Sequence, residues 1–279
     1  MPDTFQSLTI THQQAVAYIT INHGEINLLD ATLVIELISA VDQLSQDDDT
    51  RVIVFQSANP EYFASHADFQ LLQQLREQPA MPGEEIPMYS KFLEKIRTMP
   101  KVSIAKVEGR ARGGGAELVL AMDMSFAAIG RASLSQMEII MGIGPGGGGA
   151  LYLARKVGRQ RSMEICLGGG DFPAELAAAY GYINRALPDE EIGDFVDELA
   201  QRIATYDPLS IARNKAMVNI LESTLEENFA ENNRLMNGLV ASDNFDRRVE
   251  NFLAQGGNTA SGERDDWKEW AAKLGETVS

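Results

Sequence analysis

The strongest constraint on this chain is a run of three glycines followed by a carboxylate and an apolar segment. It reads GRARGGGAEL over residues 109–118. Glycine has no Cβ, so a ligand can approach the backbone N–H groups of residues 113–115 closely. The apolar residues that follow favour a helix, whose N-terminus places partial positive charge at the glycines. The stretch therefore predicts a site for an oxygen that gains negative charge, with Glu117 one helical turn from Gly114. A glycine turn before an ordinary core helix, with Glu117 in solvent, is the alternative.

Length and charge narrow the class of protein. The 279 residues are 44% hydrophobic, which is enough to bury a large core, so we expect a globular protein. The net charge of −16 opposes binding to nucleic acid or to an anionic membrane. Cys166 is the single cysteine, which excludes an internal disulfide and a multi-cysteine metal site. The sequence shows no secretory signal pattern and no apolar run of about 20 residues, so we expect a cytoplasmic protein, and no metal.

Basic residues are nevertheless concentrated in two segments. Residues 91–112 hold seven bases against two acids, and residues 151–161 hold four bases and no acid. Local positive potential within an acidic protein suits one anionic small molecule better than a polymer. The alternative for any single residue is an ordinary surface base, and we expect Arg110 and Arg112 to face solvent.

Hydrophobic periodicity predicts an α/β arrangement in the first half of the chain. Asp30 is the expected N-cap of the first helix, and residues 62–69 are expected to form a loop. The Pro-rich residues 78–88 predict an irregular insertion that forms part of a pocket wall. The predicted strands cover residues 8–11, 16–22, 51–57, 102–107 and 124–128, and the predicted helices cover residues 31–46, 69–77, 88–98 and 116–122.

The second half follows a glycine loop at residues 141–149 and is mostly helical. A short strand is expected at residues 182–186 and a linker at residues 258–264. We therefore expect an α/β core over residues 1–188 and a helical part over residues 189–279. The predicted helices cover residues 150–157, 161–167, 173–180, 190–204, 209–220, 225–241, 245–254 and 265–274.

Three ordered motifs carry a resemblance to a known family. Residues 63–69 read FASHADF, residues 107–118 read VEGRARGGGAEL, and QME at residues 136–138 precedes PGGGG at residues 145–149. In this order and spacing the chain resembles the enoyl-CoA hydratase/isomerase, or crotonase, superfamily. The resemblance implies an α/β crotonase-like fold of repeated ββα units. It also implies a homotrimer or hexamer built through the C-terminal helices, and a coenzyme A thioester as substrate with no cofactor.

The same resemblance implies roles for individual residues. The backbone N–H groups of Ala67 and Gly114 would form an oxyanion hole, and Glu117 and Glu138 would be the catalytic carboxylates. The residues implied to border the substrate are His66, Asp68, Gly113 and Gly146.

The chain departs from the family pattern at several positions. His66 stands where the family usually has glycine, and Met137 replaces the usual proline before Glu138. The spacing from Glu117 to Glu138 is one residue longer than usual. The segments at residues 25–30 and 252–258 lack bases that often occur there, which affects the expected phosphate and adenine contacts but not the reaction centre.

The chemistry implied by these residues is addition to an activated double bond. Two N–H donors would polarise the thioester carbonyl, and two carboxylates would hold one water and move its protons. Glu117 at a helix N-terminus favours the charged form, while proximity of two carboxylates raises one apparent pKa, so the pair is coupled. The sequence leaves open which glutamate is the base.

Other polar residues have simpler interpretations. His66 is either a polar contact to the substrate or a structural histidine, since its place in the loop allows both. Asp68 is expected to cap the following helix rather than react, and Asp123 is expected to be a structural hydrogen-bonding group. His12 and His23 are interpreted as ordinary strand and turn residues.

Several rival functions stay open. Isomerisation, thioester hydrolysis or decarboxylation would use the same enolate, although the presence of both glutamates favours hydration. Residues 142–147 read GIGPGG and formally match a dinucleotide-binding pattern, but no clear strand precedes them and Pro145 interrupts them. A non-catalytic family member that serves in binding or assembly is a third hypothesis.

Overall fold

Short strands in two sheets form the framework that positions the site. The computed structural model describes residues 5–76, 86–220, 225–264 and 267–275. Its strands are β1 (Leu8–Gln13), β2 (Val16–Ile21), β3 (Val52–Ser57), β4 (Tyr62–Ala64), β5 (Val102–Val107), β6 (Arg110–Arg112), β7 (Met124–Ala128), β8 (Ser133–Ser135), β9 (Phe172–Pro173) and β10 (Arg185–Leu187).

The larger sheet of the described residues has six strands in the order β1-β2-β3-β5-β7-β10. The predicted hairpin is confirmed, since β1 and β2 pair antiparallel, and the remaining neighbours are parallel. Val52, Ile53, Val54 and Phe55 are all fully buried, as expected for a central parallel strand covered on both faces. Strand β10 lies at the edge; it overlaps the predicted strand at 182–186 but begins three residues later and ends one residue later.

A second, four-stranded sheet in the described residues has the order β4-β6-β8-β9. Its strands are only two or three residues long, too short to show a period in the sequence. The prediction of a loop over residues 62–69 is therefore wrong at its start, where β4 pairs with β6. This small sheet positions the two segments that are predicted to form an oxyanion hole, because β4 leads to Ala67 and β6 leads to Gly114.

Helices cover the sheets, and most agree with the predicted ranges within two residues. Asp30 caps the first helix, since its side chain accepts a hydrogen bond from the Leu33 amide at 2.9 Å. The helices are α1 (Ala31–Gln46), α2 (Phe69–Arg76), α3 (Met88–Thr98), α4 (Gly114–Ala121), α5 (Gly149–Lys156), α6 (Arg159–Gly168), α7 (Ala174–Tyr180), α8 (Ile192–Ala204), α9 (Pro208–Asn219), α10 (Leu225–Val240), α11 (Asp243–Ala254) and α12 (Trp267–Gly275), with a 3-10 helix at Glu138–Met141.

The C-terminal helices pack on the first part of the chain. Helix α8 lies against β2, β3, β5 and β7, and α10 lies against α2 and α5. The predicted linker at residues 258–264 connects α11 to α12 without helix or strand, and Glu263 within it is fully buried. The division at residue 188 stays a proposal. None of the helices in the described ranges has the length and apolar character needed to cross a membrane.

Most of the Pro-rich insertion at residues 78–88 lies outside the described residues, so its predicted role in the pocket wall stays a prediction.

Candidate active site

Glu117 joins the two glycine loops. It lies in the first turn of α4, whose eight residues are all buried, and is itself only 3% exposed. Its carboxylate accepts hydrogen bonds from the amides of Gly147 at 3.1 Å and Gly149 at 2.8 Å. A Cβ on Gly147 would come closer than 3.0 Å to Glu117 Oε2, so only glycine allows this approach. The glycine loop at residues 141–149 therefore holds the carboxylate of Glu117, which follows the glycine run at residues 113–115.

Glu138 borders the same glycines from the other side. It begins the 3-10 helix and is 6% exposed. Its Oε1 lies 3.3 Å from the position that a Cβ on Gly113 would take, while its Oε2 is buried and has no hydrogen-bond partner in the described structure. An unpartnered buried oxygen is costly, so this atom is suited to bind a water or a substrate group.

Burial controls the proton states of the two carboxylates. It raises the pKa of Glu117 to about 7, although the amides of Gly149, Gly147 and Gly148 oppose the rise. Burial, together with the nearby Glu117, raises the pKa of Glu138 well above its ordinary value. The expected bias of Glu117 towards the charged form is therefore outweighed, but its amide donors leave it the more acidic of the two. The amides therefore favour the charged form on Glu117, while burial and the neighbouring carboxylate favour the protonated form on Glu138.

Ala67 and Gly114 lie next to each other. A Cβ on Gly114 would lie 3.6 Å from the nitrogen of Ala67. The neighbouring glycine amides are engaged, since Gly113 N–H donates to Ser135 and Gly115 N–H donates to Ser65. In the described part of the chain no backbone acceptor is recorded for the amides of Ala67 or Gly114.

The backbone at Gly113 explains one glycine of the run. Its φ is 51° and its ψ is −122°, a conformation that side chains with a Cβ rarely adopt. This turn redirects the chain from β6 into α4 and starts the helix at Gly114, two residues earlier than predicted.

Tyr89 is a site residue that sequence reasoning missed. Its hydroxyl donates to the carbonyl oxygen of Gly114 at 2.7 Å, and its ring lies 3.0 Å from where a Cβ on Gly147 would be. Burial, followed by Glu117 and Glu138, raises its pKa well above the ordinary value, so it remains a hydrogen-bond donor. It lies in the first turn of α3, and no local motif marks it.

Comparison with known proteins assigns the chain to a family. The family model described as enoyl-CoA hydratase/isomerase matches residues 11–258. The chain belongs to this enoyl-CoA hydratase/isomerase family. A solved structure of a candidate enoyl-CoA hydratase from Streptomyces avermitilis is 35% identical with a TM-score of 0.90, and the match covers 98% of this chain and 100% of that one.

Curated relatives in the enoyl-CoA hydratase/isomerase family carry related names. The "Probable enoyl-CoA hydratase, mitochondrial" of Dictyostelium discoideum is 32% identical over 225 residues, or 80% of this chain and 79% of that protein. The 2,3-dehydroadipyl-CoA hydratase of Escherichia coli (strain K12) is 27% identical over 248 residues, or 88% of this chain and 95% of that protein. These findings confirm the predicted family, its crotonase-like fold and an enzyme of this family.

Two polar side chains in the motifs of this family member, His66 and Arg112, are buried. His66 is 1% exposed and its ring stacks on Phe69 at a centroid distance of 4.5 Å. Its Nε2 lies 3.2 Å from Glu263 Oε1, a residue that the sequence did not single out. The prediction that Arg112 faces solvent is wrong, because its side chain is fully buried and paired with Asp171. Arg110 is half-buried and bonds the carbonyl of Arg264 at 3.1 Å.

The remaining predicted residues of this family member have mainly backbone roles. Asp68 accepts a hydrogen bond from the Gln70 amide at 2.9 Å, which confirms that it caps α2. The carbonyl of Gly146 accepts from Ser90 Oγ at 3.3 Å. Asp123 accepts from the Ser103 amide and from Lys215, both at 2.8 Å, which confirms its structural role.

Proposed function

We propose that this protein adds water across the α,β double bond of an enoyl-CoA thioester. The observation that carries the proposal is a pair of buried carboxylates beside the glycine loops: Glu117 accepts from the amides of Gly147 and Gly149, and Glu138 Oε2 has no partner in the described structure. The names of the curated relatives support hydration in general.

In this proposal the amides of Ala67 and Gly114 bind the thioester oxygen. As water adds to Cβ, the double-bond electrons move towards the carbonyl and the oxygen becomes enolate-like. Donors that are already oriented in a buried site stabilise that charge, and removing one such donor typically costs about 3 to 4 kcal/mol.

The two carboxylates divide the proton transfers. Charged Glu117 takes a proton from water as the oxygen bonds to Cβ, and protonated Glu138 gives its proton to Cα as the enolate collapses. The product is a 3-hydroxyacyl thioester. The starting state returns when one proton passes from Glu117 to Glu138, so the net change is addition of one water. This assignment follows from the amide donors on Glu117 and the unpartnered oxygen of Glu138.

We propose further that the enzyme acts as a homotrimer or hexamer. Large apolar side chains are exposed on and next to α9 in the single chain, which favours contact with another copy. They are Tyr206, Leu209, Met217, Val218 and Ile220. Light scattering after gel filtration tests the assembly, and a monomer at micromolar concentration would contradict it.

The reaction is tested by following loss of enoyl-thioester absorbance with short, medium and aromatic acyl-CoA chains. Glu117→Gln and Glu138→Gln should each lower kcat at least about 100-fold, as loss of a general acid or base does. No turnover with any chain, or unchanged turnover in both variants, would contradict the proposal.

A further inference from the structure

Residues 256–264, which we call the strap, form a tight loop between α11 and α12. The amide of Gly257 donates to the carbonyl of Phe252, and the amide of Glu263 donates to that of Thr259, both at 3.0 Å. Gly256 and Asn258 adopt positive φ angles of 89° and 66°. These bonds fold the strap back on itself and direct the Glu263 side chain inward, where it is fully buried.

The Glu263 carboxylate contacts His66, the residue before Ala67. Its Oε1 accepts from the Asn258 amide at 2.7 Å and lies 3.2 Å from His66 Nε2. The other ring nitrogen, Nδ1, lies 2.9 Å from the carbonyl oxygen of Ala67. Both ring nitrogens therefore lie within hydrogen-bond distance of an oxygen. The ring is thus held between the strap and Ala67.

The backbone of Glu263 contacts Arg112, at the end of β6. Arg112 Nη1 donates to the carbonyl oxygen of Glu263 at 2.5 Å, and Arg112 Nε donates to Asp171 at 3.0 Å. The Arg112 guanidinium also lies 5.8 Å from the ring centre of Trp267 in α12. Arg112 is two residues before Gly114, so the strap is bonded close to both proposed oxyanion amides.

The charge of Glu263 makes these contacts strong. Burial would raise its pKa, but His66, the Asn258 amide and Arg112 together lower it below the ordinary value. A charged buried carboxylate needs its partners, because removing one of them leaves an uncompensated charge. The same requirement fixes the positions of the partners.

We propose that Glu263 is a positioning residue: its carboxylate pairs with His66 and its backbone carbonyl accepts from Arg112, and this clamp holds the amides of Ala67 and Gly114 where they bind the thioester oxygen. The pairing with His66 is the part of the clamp that a side-chain substitution removes. This inference rests on the proposed function. A shift of about 1 Å in a catalytic group can cost roughly 100-fold in rate, so loss of the clamp should act on kcat.

The kinetic test compares three variants of the full-length enzyme. Glu263→Ala should lower kcat by roughly 10 to 100-fold and change KM less than about 3-fold, since the amides act mainly in the transition state. Glu263→Gln keeps the shape of the side chain and one acceptor oxygen, so its kcat should fall less than that of Glu263→Ala. Arg264→Ala is the matched control in the same strap. Its side chain is 60% exposed in its 3.3 Å pair with Glu61, so kcat should stay within about 2-fold.

Amide hydrogen exchange without substrate gives a second readout that does not need turnover. Glu263→Ala should speed exchange in residues 62–69, and Arg264→Ala should not. A merely structural role would lower the melting temperature of Glu263→Ala yet leave kcat and this exchange at the wild-type values, and that result would overturn the inference. If Glu263→Ala does not fold, Glu263→Gln decides by the same two measurements.

The two proposals fail separately. If the wild-type protein hydrates no enoyl-CoA but Glu263→Ala still speeds exchange in residues 62–69, the clamp stands and the proposed function falls. If the wild-type protein hydrates enoyl-CoA while the Glu263 variants keep its kcat and exchange rates, the clamp falls and the proposed function stands.

Discussion

The amide of Gly149 donates a hydrogen bond to the carboxylate of Glu117 at 2.8 Å, across 32 positions of sequence. With the bond from Gly147, it favours the charged form of Glu117, whereas Glu138 Oε2 has no such partner in the described structure. In the proposed reaction these two side chains act as the base and the acid.

Replacing Gly147 should disable the base. In Gly147→Ala the new Cβ would come closer than 3.0 Å to Glu117 Oε2, so either the loop or the carboxylate must move. We expect kcat for hydration to fall at least about 10-fold, since small misplacements of reacting groups are costly. Gly144→Ala is the control in the same loop, because a Cβ there meets nothing within 4 Å. Equal kcat values in the two variants would show that the loop does not hold Glu117.

The Tyr89 hydroxyl should contribute to the position of Gly114. Tyr89→Phe removes its hydrogen bond to the Gly114 carbonyl, a bond worth about 1 kcal/mol, so kcat should fall roughly 3 to 10-fold. Tyr18→Phe removes a comparable bond to Asp197 between β2 and α8 and should leave kcat unchanged. Steady-state kinetics on one enoyl-CoA distinguishes the two variants. An unchanged kcat in Tyr89→Phe would remove Tyr89 from the site.

The candidate site is easier to recognise in the sequence than the packing around it. The glycine run, Glu117 and Glu138 are visible because their motifs are local and ordered. The burial of Arg112 is not visible, because its partner Asp171 is 59 residues away and its second acceptor is in the strap. The raised pKa of Glu117 is missed for a similar reason, since burial depends on packing that no local pattern reveals.

Secondary-structure elements marked by local sequence signals are predicted, and those that depend on distant contacts are missed. Helix α1 is predicted because its N-cap and its apolar stripe are local signals. The second sheet is missed because strands of two or three residues have no period, and their pairing depends on the larger sheet. Residues 258–264 connect two helices as predicted, but no local pattern shows that Glu263 is buried there, because its contacts are with His66 and Arg112 far away in the sequence.

The stability of the protein should depend on the proton of Glu138. Its raised pKa means that the folded state keeps a proton that the unfolded state releases, so the free energy of unfolding falls as pH rises above the ordinary glutamate value. Glu138→Gln cannot ionise and should be more stable than wild type at pH 8, with little difference at pH 4. Urea midpoints at both pH values measure this. A gap between variant and wild type that does not change with pH would contradict the assignment.

The pH dependence of hydration should show the ionisation of Glu117 and of Glu138. Glu117 has a pKa of about 7, so kcat/KM should fall about tenfold per unit of pH below that value as the base becomes protonated. At higher pH, ionisation of Glu138 removes the acid and should produce a second decline. Initial rates between pH 5 and 10 provide the profile. A flat profile between pH 5 and 8 would show that neither carboxylate has the assigned role.

The most direct measurement of the central claim is product analysis in deuterium oxide by NMR. Turnover of an enoyl-CoA by the wild-type enzyme should give a 3-hydroxyacyl-CoA with the hydroxyl at Cβ and one deuterium at Cα. Both should be lost in Glu117→Gln and in Glu138→Gln. Free coenzyme A, carbon dioxide release or a shifted double bond as the product would contradict the account.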